Sequence, residues 1–150
     1  MGEPRANLAP MLRRTAALAF TLLALQSTTG CGRVREINAC RSLAREVNPV
    51  LAEMEALSKR PGERDELGLA KRYAELAKRV KAQSARGGTL EPALRDYAGI
   101  FEATDVALRG YRDATQQNQA ARVAEKRREL ERLVKRERAA VTRIEAECQS

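Results

Sequence analysis

The chain has no histidine and no tryptophan, and it holds only three cysteines, three tyrosines and two phenylalanines in 150 residues. Without histidine there is no Ser-His-Asp or Cys-His arrangement for nucleophilic catalysis. There is also no Glu-x-x-His pair for a di-iron bundle and no histidine axial ligand for haem. Three thiols with no C-x-x-C spacing make a poor zinc site. No glycine-rich phosphate loop is present, and Gly87-Gly88 reads as a turn. Period-two runs of β-branched residues are missing, which argues against a sheet. Acidic pairs such as Glu53/Glu55 and Glu63/Asp65/Glu66 occur, but such pairs are ordinary on a charged helical surface. The expectation is a protein that is not an enzyme and uses no cofactor or metal.

What is present is helix-forming. Ala, Glu, Arg, Leu and Lys dominate, and charged residues make up 32% of the chain. Residues 90–111 carry Leu90, Leu94, Tyr97, Phe101, Thr104, Leu108 and Tyr111 at alternating spacings of four and three, a heptad seam. Ile37, Cys40, Ala44, Val47, Leu51 and Met54 make an earlier seam, supported by Leu43, Val50 and Leu57. Leu69, Tyr73, Leu76 and Val80 form a shorter one. Leu130, Val134, Val141, Ile144 and Cys148 form the last, with a polar interruption near Glu137.

Breaks fall between these seams. Pro61-Gly62 and Gly87-Gly88 are turn signals, with Thr89 expected as a helix N-cap and Pro92 in the first turn. A weaker break is expected in residues 112–119. The fold class is therefore all-α, an antiparallel up-down bundle of four helices; the alternative is three, with the last two continuous. Asn48-Pro49 predicts a kink or short interruption, because mid-helix proline removes a hydrogen bond and clashes with the preceding turn.

The N-terminal thirty residues read differently. Thr15–Gln26 is an uncharged, mostly apolar run preceded by Arg13-Arg14. A basic end, a short apolar core and small residues after it make an export signal, and the run is shorter than the ~20 residues a permanent span needs. The residues usual around a twin-arginine signal are missing. Met11 is an alternative start that would leave a compact signal. The junction resembles a bacterial lipoprotein signal over residues 11–32: Gly30 precedes Cys31 and Thr29 is acceptable, while Thr28 departs from the usual apolar residue. That resemblance implies that Cys31 becomes the first mature residue and carries lipid, on the periplasm-facing side of the bacterial envelope. Gly32, in place of the aspartate linked to inner-membrane retention, favours the outer membrane. An ordinary signal-peptidase cut nearby is the alternative.

Domain boundaries follow: signal peptide 1–30, lipidated tether 31–36, helical bundle 37–150. With Cys31 acylated, Cys40 and Cys148 remain, in an oxidising compartment where disulfides persist. An up-down bundle places the start of its first helix beside the end of its fourth, so a Cys40–Cys148 disulfide is expected.

Residues 1–30 hold three basic residues and one acidic residue, so residues 31–150 carry a net charge of +6. The third helix is acidic between basic neighbours, which suits electrostatic complementarity within the bundle. Lys71, Arg72, Lys78, Arg79 and Lys81 form a basic stripe on the second helix, either a solvated face or a site for an anionic envelope ligand. Nucleic acid fits the charge but not the compartment. The leading expectation is a membrane-attached adaptor for a protein partner. The alternative is a binder of anionic ligand, or a chaperone-like helical protein acting through the stripe.

Overall fold

The computed structural model describes residues 31–58 and 65–149. It contains four helices: α1 (Cys31–Ser58), α2 (Glu66–Ser84), α3 (Glu91–Gln116) and α4 (Ala120–Gln149). They pack as an all-α, up-down bundle. Residues 1–30, which hold the expected export signal, and residues 59–64, which hold the expected Pro61-Gly62 turn, lie outside the described residues. The helix α1 begins at Cys31, so residues 31–36 are its first turns.

Each described connection has a local cause. Asp65 caps α2, its Oδ1 accepting from the Gly68 N–H at 2.8 Å. A Cβ at Gly68 would lie 2.3 Å from the Asp65 carboxylate, so this close cap needs glycine. The chain reverses after α2 at Gly87 and Gly88, whose φ values of 72° and 104° suit residues lacking a Cβ. The third connection, the weakest in sequence, is a Schellman turn. Asn118 takes φ 53°, its N–H donates to the Thr115 carbonyl, and the Gln119 N–H donates to the Ala114 carbonyl. Asparagine tolerates the left-handed conformation, which ends α3 without glycine or proline.

One local expectation changes and another narrows. Thr89 is not the N-cap of α3: Leu90 holds that position without a side-chain cap, and its burial in the core sets the register. The Thr89 hydroxyl instead donates to Glu36 on α1 at 3.1 Å. Of the kink or short interruption expected at Pro49, the interruption is absent: α1 continues through it as one helix. Proline leaves the Arg45 carbonyl without its helical donor, but both residues are exposed, so water can serve it.

The core is centred on α2 and α3. The buried alanines Ala70, Ala77, Ala93, Ala98 and Ala107 let helices approach closely, and Tyr73, Tyr97 and Phe101 fill the middle. The Phe101 ring lies 4.3 Å from Tyr97 and 5.8 Å from Tyr73, centroid to centroid, in tilted arrangements. Every seam residue from Leu90 to Leu108 is buried, Thr104 included; its hydroxyl donates to the Ile100 carbonyl at 2.8 Å and so needs no partner from another helix. Tyr111 is half-buried.

The helix α1 contributes Cys40, Leu43, Val47, Val50 and Met54 to the core, while Ile37, expected on its seam, is exposed. The fourth seam also shifts. The buried residues of α4 are Leu130, Leu133, Glu137, Ala140 and Ile144, whereas Val134 and Val141 lie at its margin. Glu137 is therefore part of the seam rather than an interruption.

Candidate functional site

Three places in the fold concentrate chemistry, and the first is the end where the chain enters α1. Cys40 and Cys148 are joined there, with Sγ atoms 2.07 Å apart and Cα atoms 6.0 Å apart across 108 residues of sequence. The up-down topology brings them together. From this end the α1 and α2 helices run antiparallel, and polar pairs mark their register. Thr89 meets Glu36, Arg86 meets Ser42 at 3.2 Å, Arg79 meets Glu46 at 3.4 Å, and Arg72 meets Glu53 at 2.9 Å. The partners advance along α1 as they retreat from the α2–α3 connection back along α2.

The second place is the basic stripe of α2, which the structure divides. Arg72 and Arg79 reach towards α1 and also converge on Glu75, at 3.0 and 2.6 Å. The hydrogen bond from Arg79, then that from Arg72, holds the Glu75 carboxyl below its usual range. Lys81 turns the other way, to Glu102 of α3 at 3.3 Å. Only Lys71 and Lys78, both exposed, have no ion-pair partner among the described residues. Five cations aligned in sequence thus become two interhelical struts to α1, one to α3, and two free lysines seven residues apart.

The acidic character of α3 is likewise used inside the bundle. Asp96 accepts from Arg136 at 3.2 Å and lies 3.9 Å from Arg143, both on α4. Arg95 pairs with Glu91 on its own helix. These residues edge a shallow groove with Pro92 and Gly99. Its two arginines, Arg95 and Arg136, face the carboxylates of Glu91 and Asp96 that already engage them, so it presents little free charge.

The third place is buried, and sequence reasoning missed it. Glu137 carries a carboxyl into the core opposite the tyrosines, and burial pushes its pKa from 4.5 up to about 7, against a smaller opposing effect of Arg138. Burial, with the Glu137 charge second, pushes the Tyr73 and Tyr97 hydroxyls well above their ordinary range. The Tyr97 hydroxyl oxygen is buried without a hydrogen-bond partner. The signal was present in sequence: Leu130, Leu133, Glu137, Ala140 and Ile144 keep the spacings three, four, three and four. It was hidden because a charged residue argues against a core position.

Among the described residues no cluster of three or more His, Cys, Asp or Glu could hold a metal. Also among them, no helix is long and apolar enough to cross a membrane. Comparison with known protein families, curated proteins and solved structures finds no match to the chain.

Proposed function

We propose that the chain is a lipid-anchored protein of the bacterial envelope that works by binding, as a structural or adaptor module for a protein partner. The observation that carries this reading is the pairing of Cys40 with Cys148. It accounts for two of three cysteines and leaves Cys31, the residue that the lipoprotein-like junction Gly30-Cys31 marks for acylation. A disulfide also suits an exported protein, since reducing compartments disfavour it. The lipid would sit nine residues before the bonded end of the bundle, with that end facing the membrane. The far end, where α3 turns into α4, would then face away from it and towards a partner.

Crosslinking in intact cells, followed by gentle solubilisation, tests the adaptor role. A specific covalent complex with a second protein is expected. Recovery always as a lone monomer contradicts it. The alternative, an anionic ligand on α2, now rests on Lys71 and Lys78, because Arg72, Arg79 and Lys81 hold carboxylates. Charge reversal at Lys71 and Lys78 that leaves binding to anionic envelope material unchanged excludes that alternative.

A further inference from the structure

Among the large hydrophobic side chains described, three are exposed: Val34 at 60%, Ile37 at 39% and Val106 at 61%. Val106 stands alone on α3. Val34 and Ile37 are one turn apart, three and six residues after Cys31, and the helix continues from them with Arg41 and Arg45, both exposed. Spacings of three, four and four put all four residues on one stripe of α1. That stripe is distinct from the buried one of Cys40, Leu43, Val47 and Val50. Glu36, the acidic residue in these first turns, falls nearly opposite Val34 on the helix and accepts from Thr89 at the α2–α3 connection. The stripe therefore carries apolar and positive character with no carboxylate within it.

We infer that this stripe is a membrane-contact surface, on which Val34 and Ile37 enter the polar–apolar boundary of a bilayer and Arg41 and Arg45 lie against anionic phospholipid headgroups. The inference rests on the reading of Cys31 as the anchored residue. Order along the helix supports it: the apolar residues come next to the anchor and the cations follow. From Val34 the axis advances about 10 Å to Arg41 and about 16 Å to Arg45, so a helix leaning towards the bilayer brings both cations to the ~5–8 Å polar layer beside the hydrocarbon core. Arg33 and Arg35 add two basic residues to the same segment. Cationic residues beside an anchor are drawn to anionic lipid. Because α1 is helical from Cys31 onward, the contact would fix the tilt of the whole bundle.

The chain contains no tryptophan, so one introduced indole reports its own surroundings. The protein recovered from bacterial membranes, carrying Val34→Trp, is reconstituted into phosphatidylcholine vesicles with or without phosphatidylglycerol, and Val106→Trp is treated alike. The expected result is a blue shift and loss of acrylamide quenching for Val34→Trp, stronger with phosphatidylglycerol, and neither change for Val106→Trp. Arg41→Glu with Arg45→Glu should abolish the dependence on phosphatidylglycerol. Equal behaviour at positions 34 and 106, or protection of Val34→Trp only when a second protein is added, overturns the inference. The anchor is scored separately, by mass: a lipidated protein whose Val34→Trp indole stays in water refutes this contact alone. An unlipidated protein refutes the anchor, whatever the indole reports.

Discussion

The α2–α3 pair and α1 are held by different physics. Between α2 and α3, alanines admit a close approach, and the aromatic trio Tyr73, Tyr97 and Phe101 fills what remains. The helix α1 presents five buried aliphatic or sulfur side chains, is strapped to α2 by exposed ion pairs, and is tied to α4 by the Cys40–Cys148 bond. One region is stabilised by packing, which acts locally. The other depends on a covalent link, which acts by restricting the unfolded chain. For a bundle with few aromatics, this divides the work. A compact pair supplies the core, and a cross-link keeps an outer helix in place.

The largest expected effect comes from breaking the packed side. Phe101→Ala removes the ring common to both aromatic contacts and should cost about 3–5 kcal/mol, read as a lower midpoint in chemical denaturation. Reduction, or Cys148→Ser, breaks the other side and should cost about 2–4 kcal/mol, since the closed loop is long. The two differ in distribution as well as size. Amide exchange should rise throughout the bundle in Phe101→Ala, but first and most in α1 after reduction. Uniform exchange in both variants would erase the distinction.

A third prediction concerns the charge in the packed side. The Glu137 carboxyl has a pKa of about 7 when folded, raised from 4.5, so the folded state holds a proton that the unfolded chain has lost. Stability should therefore fall as pH rises from about 4.5 to 7, and then level off, by at most about 3 kcal/mol. Glu137→Gln should flatten this slope, matching the parent near pH 4 and exceeding it above pH 7. A denaturation series with unchanged slope in the variant refutes it. The smallest effect is expected on the strapped side. Arg79→Ala should cost under about 1 kcal/mol, diminished further by salt, because the pair is exposed.

The same division explains what could be read in advance. The α3 seam was legible because its residues, Thr104 apart, are apolar or aromatic and its two neighbours cover it, leaving the 4-3 repeat undisturbed. The α4 seam was displaced by one charged residue: excluding Glu137 moves attention to Val134 and Val141, which lie beside the true line. Ile37 was misplaced for a different reason. It continues the α1 repeat in phase, but it lies beyond the disulfide, where no helix among the described residues covers that face. The basic stripe of α2 was visible as five cations, yet which of them remain free depended on Glu46, Glu53 and Glu102 arriving from other helices. Such pairings follow from tertiary register, which no local spacing encodes.

The most direct test of the account is the intact mass of the protein taken from native membranes, measured with and without reductant. The account predicts a chain beginning at Cys31 with added acyl groups, and two hydrogens short of the reduced mass until reductant is added. A chain that keeps residues before Cys31, or an unlipidated one with free thiols at Cys40 and Cys148, would contradict it.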